Sequence, residues 1–265
     1  QSLYRGLAGV GLGHLHLAQA TGDRAHLATA LAVADVLVDR LGPVDAVPET
    51  SGGGAPYAGL MDGSSGPALF LLRLFERTGD PALLDAAETA LRQDLRRCVR
   101  QADGSLQVNE GRRTMPYLAR GSVGIAWVLG EYLRYRPDPS LAAARDALDL
   151  AARSPFYIQS GLFHGRAGVL AYLCRDRHGG RADPQAEAQL RALACHAVDY
   201  QGRLAFPGER LLRLSMDLAT GTAGVLLAVG AALHEEPVHL PFLGRSGTPA
   251  SELGGTATAR IRKEV

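Results

Sequence analysis

Five residues stand immediately before a glycine that opens an apolar run: Arg5, Asp62, Arg120, His164 and Thr220. Four of the five are ionisable, where small or apolar side chains would serve packing better. A guanidinium, a carboxylate and an imidazole held together can polarise a weak acid, take its proton and steady the resulting anion. That chemistry requires the five positions to converge, which puts the weight on the glycines after them: Gly6, Gly63, Gly121, Gly165 and Gly221. Each begins a Gly-x-x-Gly pair, completed by Gly9, Gly66, Gly124, Gly168 and Gly224, at intervals of 57, 58, 44 and 56 residues. One such pair is a weak motif; five in near-even succession mark a repeat architecture.

Each pair runs into apolar helical sequence (VGLGHLHLAQ, PALFLLRLFE, IAWVLGEYL, VLAYLCRD, VLLAVGAAL), and a more polar helix follows the first four. The first two joints, Ala20-Thr21-Gly22-Asp23 and Arg77-Thr78-Gly79-Asp80-Pro81, predict a left-handed glycine stop and an aspartate cap. The next two, at Asp138-Pro139 and Asp183-Pro184, are looser versions. Outer helices are expected from Arg24 to about Leu41 and from Ala82 to about Arg100, each with one apolar and one charged face. The returns are longer and rich in turn formers, with room for short strands at 106–109 (LQVN) and 202–206 (GRLAF).

A helical hairpin with one apolar face must stack on its neighbours. The expected fold is therefore all-α, an α/α toroid of helical hairpins with the glycine turns gathered at one end. There the glycines would allow positive φ and close backbone approach, and the helix N-termini would favour an anion. Residues 1–243 form the expected domain, and 244–265 read as a flexible tail rich in Gly, Ser, Thr and charge.

Composition narrows the function classes. With 28 basic against 27 acidic residues, the chain has no general attraction for nucleic acid or an acidic membrane. Three cysteines (Cys98, Cys174, Cys195) without a Cys-x-x-Cys pair point away from a disulfide framework or zinc knuckle. No signal peptide or apolar run of about twenty residues appears, so a cytoplasmic protein with no membrane partner is expected. The chain starts at Gln1, without Met and almost on a repeat motif, and reads as a fragment of something longer.

Five stretches, LYRGLAGVGL, GLMDGSSGPALFLL, YLARGSVGIAWVL, GLFHGRAGVLAYL and MDLATGTAGVLLAV, resemble the lanthionine synthetase C-like cyclases, which close thioether rings in ribosomally made peptides. The resemblance covers Ser2 to about Leu243. It implies an α/α toroid of about seven inner helices, of which five are present here, with two hairpins missing on the N-terminal side. Such cyclases bind zinc through two cysteines and a histidine. The matching positions here are Ala119, Phe163 and His164, and the family's acid/base histidine falls on Asp62. One histidine cannot hold a catalytic zinc, so no metal and no cofactor is expected.

That departure is similar to the cyclase domain of class III lanthipeptide synthetases. Their upstream kinase and lyase domains dehydrate Ser and Thr of a precursor peptide. This part would then guide Cys thiols onto the dehydroamino acids, giving lanthionine or labionin rings. With no zinc, Arg5, Arg120 and the helix N-termini at Gly6, Gly63, Gly121, Gly165 and Gly221 would supply the positive field for a thiolate. His164 or Asp62 would take and return the proton, unless His164 is a relic of the lost metal site.

Other readings stay open. A cyclase-like scaffold could bind precursor peptide without catalysis. A toroid glycosidase would need paired carboxylates, from Asp62 with Asp217 or Glu209. Cys174 and His178, four apart on one helix face, read as a buried thiol and a helix-end cation. Cys195-His196 reads as a coincidence mid-way along an outer helix, and 50–54 (TSGGG) as a flexible loop lacking a phosphate loop's Gly-Lys-Ser/Thr ending.

Overall fold

The Thr-Gly-Asp joints build the hairpins as their residues dictate. In the computed structural model, which describes residues 1–176, 183–235 and 238–243, α1 (Leu7–Thr21) stops at Gly22 with φ 73°. Asp23 then accepts the Ala25 N–H at 2.8 Å to start α2 (Arg24–Leu41). Between α3 (Ser65–Thr78) and α4 (Pro81–Arg96) the device repeats, with Gly79 at φ 72° and Asp80 accepting from Ala82 N–H. Asp138 caps α6 (Pro139–Ala151), which follows α5 (Ser122–Leu133); Asp183 caps α8 (Pro184–Leu193), which follows α7 (Arg166–Leu173). Proline at the first position of α4, α6 and α8 removes an N–H that has no helical partner there.

The helices α1, α3, α5, α7 and α9 (Thr222–Leu233) pack in that order, each on the next, while α2, α4, α6 and α8 lie against their own inner partners. Burial follows from this position. Every residue of α3 from Ser65 to Leu74 is buried, and so is every residue of α7 from Arg166 to Tyr172. Residues 238–243 come back across the inner helices: Val238, His239 and Leu240 meet Trp127, Ala171, Leu227 and Ala231, and the Phe242 carbonyl accepts from Arg73 on α3.

Two small sheets interrupt the helices. One orders β1 (Cys98–Arg100), β2 (Leu106–Asn109) and β3 (Thr114–Met115) antiparallel, with Cys98 opposite Val108; the other pairs β4 (Val198–Tyr200) with β5 (Arg203–Ala205). The strands at 106–109 and 203–205 fall where the turn-rich returns left room for them. Helix α4 ends four residues before the expected Arg100, because Cys98–Arg100 gains a strand partner across the Gly104 turn. The Cys195-His196 pair lies just past the end of α8, in the 3-10 turn Ala194–His196, and not within the helix. His178 and the tail at 244–265 lie outside the described residues.

Candidate functional site

The five turns form one continuous row. Tyr4 N–H donates to the Met61 carbonyl at 2.9 Å, Met61 N–H to Ala119 at 2.9 Å, Ala119 N–H to Phe163 at 2.9 Å, and Phe163 N–H to Ala219 at 3.1 Å. Each of these residues lies two before a leading glycine, so the row brings successive Gly-x-x-Gly motifs side by side.

The glycines do this through close approach and not through positive φ. Gly6, Gly165 and Gly221 cap their helices at φ −132°, −154° and −101°, and Gly121 at 172° is extended. What they lack is room. A Cβ on Gly121 would lie 2.4 Å from Tyr117 N, and one on Gly168 would lie 2.0 Å from the Leu162 carbonyl oxygen. The second glycine of each later pair also seats the leucine of the preceding turn: Leu3 under Gly66, Leu60 under Gly124, Leu118 under Gly168 and Leu162 under Gly224. This leucine, three before each leading glycine, completes a Leu-x-x-Gly-x-x-Gly motif that occurs five times. It was visible as a repeat, and the glycines alone understate it.

Asp94, on α4, fixes the turn that carries Asp62. Its carboxylate accepts the N–H groups of Gly59, Ser64 and Ser65 at 3.0, 3.1 and 2.7 Å and the Ser65 hydroxyl at 2.7 Å. Arg97 lies 3.5 Å away. Burial pushes this carboxyl up, and the four donors and Arg97 pull it back. Nothing local marks Asp94 in the sequence, where it looks like one more charge on an amphipathic helix.

On this row Asp62, Arg120 and His164 come together. Arg120 Nε donates to Asp62 Oδ2 at 2.6 Å, with both side chains largely buried. The Arg120 guanidinium also lies 3.9 Å from the centre of the Tyr57 ring, a second grip that fixes its plane. The His164 imidazole is pushed below the ordinary histidine range, first by burial and then by the positive charge of Arg120; Asp62, Glu209 and Glu110 oppose this. Among the described residues nothing hydrogen-bonds to the His164 ring. The arrangement is an imidazole without a hydrogen-bond partner, its charged form disfavoured by burial, beside a guanidinium that is already paired and stacked. It can accept a proton and have the resulting anion stabilised nearby.

The other sequence candidates sit elsewhere on the row. Arg5 is exposed, its guanidinium 5.2 Å from the Tyr4 ring and in no ion pair among the described residues. Thr220 donates its N–H (2.7 Å) and hydroxyl (2.9 Å) to Asp217. With the Ser215 hydroxyl, first among the causes, these donors hold the Asp217 carboxyl down at about 2, so it stays ionised and serves poorly as a general acid. Burial and the neighbouring Asp94 push the Cys98 thiol up, away from thiolate reactivity.

The three positions at which the resembled cyclases would hold zinc do not offer a metal site here. Ala119 offers a buried methyl, 1% exposed, and Phe163 a ring packed against the core, leaving His164 as the one donor of the three. Among the described residues no group of three His, Cys, Asp or Glu side chains is placed to hold an ion. Nor is any described helix long and apolar enough to cross a membrane.

No protein-family model matches the chain. It is 51% identical over 252 residues to a protein of Streptomyces coelicolor (strain ATCC BAA-471 / A3(2) / M145) described as a probable SapB synthase. That match covers 93% of this chain but 27% of the relative, so the chain spans about a quarter of that protein's length. At this level of identity over nearly its whole length, the chain is similar to one part of that protein.

Proposed function

We propose that this chain is the cyclase part of a lanthipeptide synthetase, an α/α toroid of class III type that forms thioether rings in a precursor peptide without zinc. The observation that carries the reading is the meeting of Asp62, Arg120 and His164 on one hydrogen-bonded row of glycine turns. The sequential packing of α1, α3, α5, α7 and α9, with 238–243 lying against the last four of them, supports the toroid. The upstream kinase and lyase domains belong to the same proposal, and the long relative leaves ample length for them.

In this reading neutral His164 takes the proton of a peptide cysteine thiol. The thiolate sulfur adds to the β-carbon of a dehydroamino acid, forming the C–S bond as the C=C π electrons move to the α-carbon and its carbonyl. Arg120 stabilises the thiolate and then the enolate, and the His164 imidazolium returns the proton to the α-carbon. No net oxidation or reduction occurs, and the proton is conserved. Asp62 holds Arg120 in place and so acts as a positioning residue.

The complete synthetase carrying Arg120→Gln or Asp62→Asn tests this, with dehydration followed by mass and rings by alkylation of remaining thiols. Dehydration is expected to proceed while ring closure slows by about 10²-fold for Arg120→Gln, in the range of a lost electrostatic stabiliser. Ring closure at the unmodified rate in both variants would leave the scaffold reading in its place.

A further inference from the structure

Beside the His164 turn lies a cavity of about 740 Å³, lined by Glu209, Leu212, Arg213, Ser215, Asp217 and Thr220 among others. It is continuous with the row. Phe163 N–H donates to Ala219 at 3.1 Å, Thr220 follows Ala219, and a Cβ on Gly161 would meet Thr220 at 2.8 Å. Glu209 is close enough for its charge to act on His164.

The polar groups of this cavity are unevenly committed. Asp217 is taken up by Ser215 and Thr220. Glu209 faces Arg210, 3.9 Å away. Arg213 uses its carbonyl to accept Gly208 N–H at 2.8 Å, but its guanidinium makes no hydrogen bond or ion pair among the described residues. Arg213 is exposed at the cavity rim, so the five N–H donors of its guanidinium are open to a ligand there. Apolar surface lies on the same wall: Leu212, which also lines the cavity, is 79% exposed. The backbone leading in is strained, with Arg210 and Leu211 at φ 56° and 60°, a conformation side-chain-bearing residues seldom adopt.

We propose that this cavity seats a segment of the precursor peptide in which a carboxylate side chain neighbours an apolar residue, the carboxylate on Arg213 and the apolar residue on Leu212. The inference rests on the chain acting on a peptide, and it adds which peptide. A guanidinium favours a carboxylate through paired, charge-assisted hydrogen bonds, and apolar surface beside it selects the neighbouring residue. The seat lies alongside His164, so a segment held there places adjoining residues over the reacting groups.

Fluorescein-labelled dodecapeptides containing one dehydroalanine, two leucines and a single Glu, Gln or Lys test the idea by anisotropy with the complete protein. The Glu peptide is expected to bind about tenfold more tightly than the Gln peptide at low salt, a gap of about 1.4 kcal/mol. Arg213→Ala should abolish the gap, and Arg213→Glu should reverse the order in favour of Lys. Leu212→Asn should weaken all three peptides; it is a solvent-facing change, and helix content by circular dichroism checks the fold. Equal binding of Glu and Gln peptides, or a Glu preference that survives Arg213→Glu, overturns the proposal. Binding is read without ring closure, so the two failures separate. A Glu preference with no rings formed defeats the cyclase reading alone, and rings without the preference defeat this one alone.

Discussion

At the scale of single residues, the proposed ring closure turns on the protonation of His164. Its folded-state value lies below the unfolded value of about 6.5, by burial and the charge of Arg120. Between those two values the unfolded chain binds more protons than the native one. The stability associated with neutral His164 is thus whole above about pH 6.5 and is lost as pH falls toward the folded value. The same shift sets the rate profile: the acid limb of ring closure should fall below the ordinary histidine value. Arg120→Gln removes one cause of the depression and should move that limb upward, which a pH–rate series in the variant checks. An unmoved limb would detach Arg120 from His164. The two residues were legible in the sequence because both precede a repeat glycine, as does Asp62. Tyr57 was not, because it lies in a loop and reaches Arg120 only through the fold.

At the scale of elements, the turn under Asp62 depends on a carboxylate borrowed from the outer helix. Asp94 is fully buried and satisfies three N–H groups and a hydroxyl of the return loop and α3. Asp94→Ala strands those donors and leaves Arg97, 2% exposed, without its buried counter-charge. The expected cost is about 3–5 kcal/mol in urea unfolding, with Asp94→Asn losing less. Caps and helix starts could be read in advance, because Asp23, Asp80, Asp138 and Asp183 act on N–H groups two or three residues away. The end of α4 could not, because β1 exists only through its pairing with β2. Burial of Asp94 likewise follows from partners some 30 residues distant, which no local pattern encodes.

At the scale of the whole molecule, the row of turns has two open ends among the described residues. Leu3, Leu60, Leu118 and Leu162 each lie beneath a glycine of the next turn, while Leu218 is 44% exposed. The flanking helices match: Val10 and Leu17 on α1 are 50% and 42% exposed, and Leu226 and Leu233 on α9 are 43% and 59%. Such apolar faces favour association, and a glycine end meeting a leucine end would do so head to tail. The isolated 265-residue chain should therefore sediment with a concentration-dependent mass. Leu226→Glu with Leu233→Glu should suppress this, and a monomer at every concentration would contradict it. The repeat was legible as five glycine pairs, and the order of packing followed from it. The hydrogen-bonded row along the turns was not, since it joins residues 44 to 58 positions apart through backbone alone.

The proposed ring closure stands or falls on proton transfer by the His164 imidazole at the fourth turn of the row. It is tested most directly by His164→Gln in the complete protein, given a precursor peptide that is already dehydrated, with ring closure and peptide affinity measured in the same samples. Ring closure is expected to slow by about 10²-fold or more, with affinity within about twofold of the unmodified protein. Ring closure at the unmodified rate would contradict it.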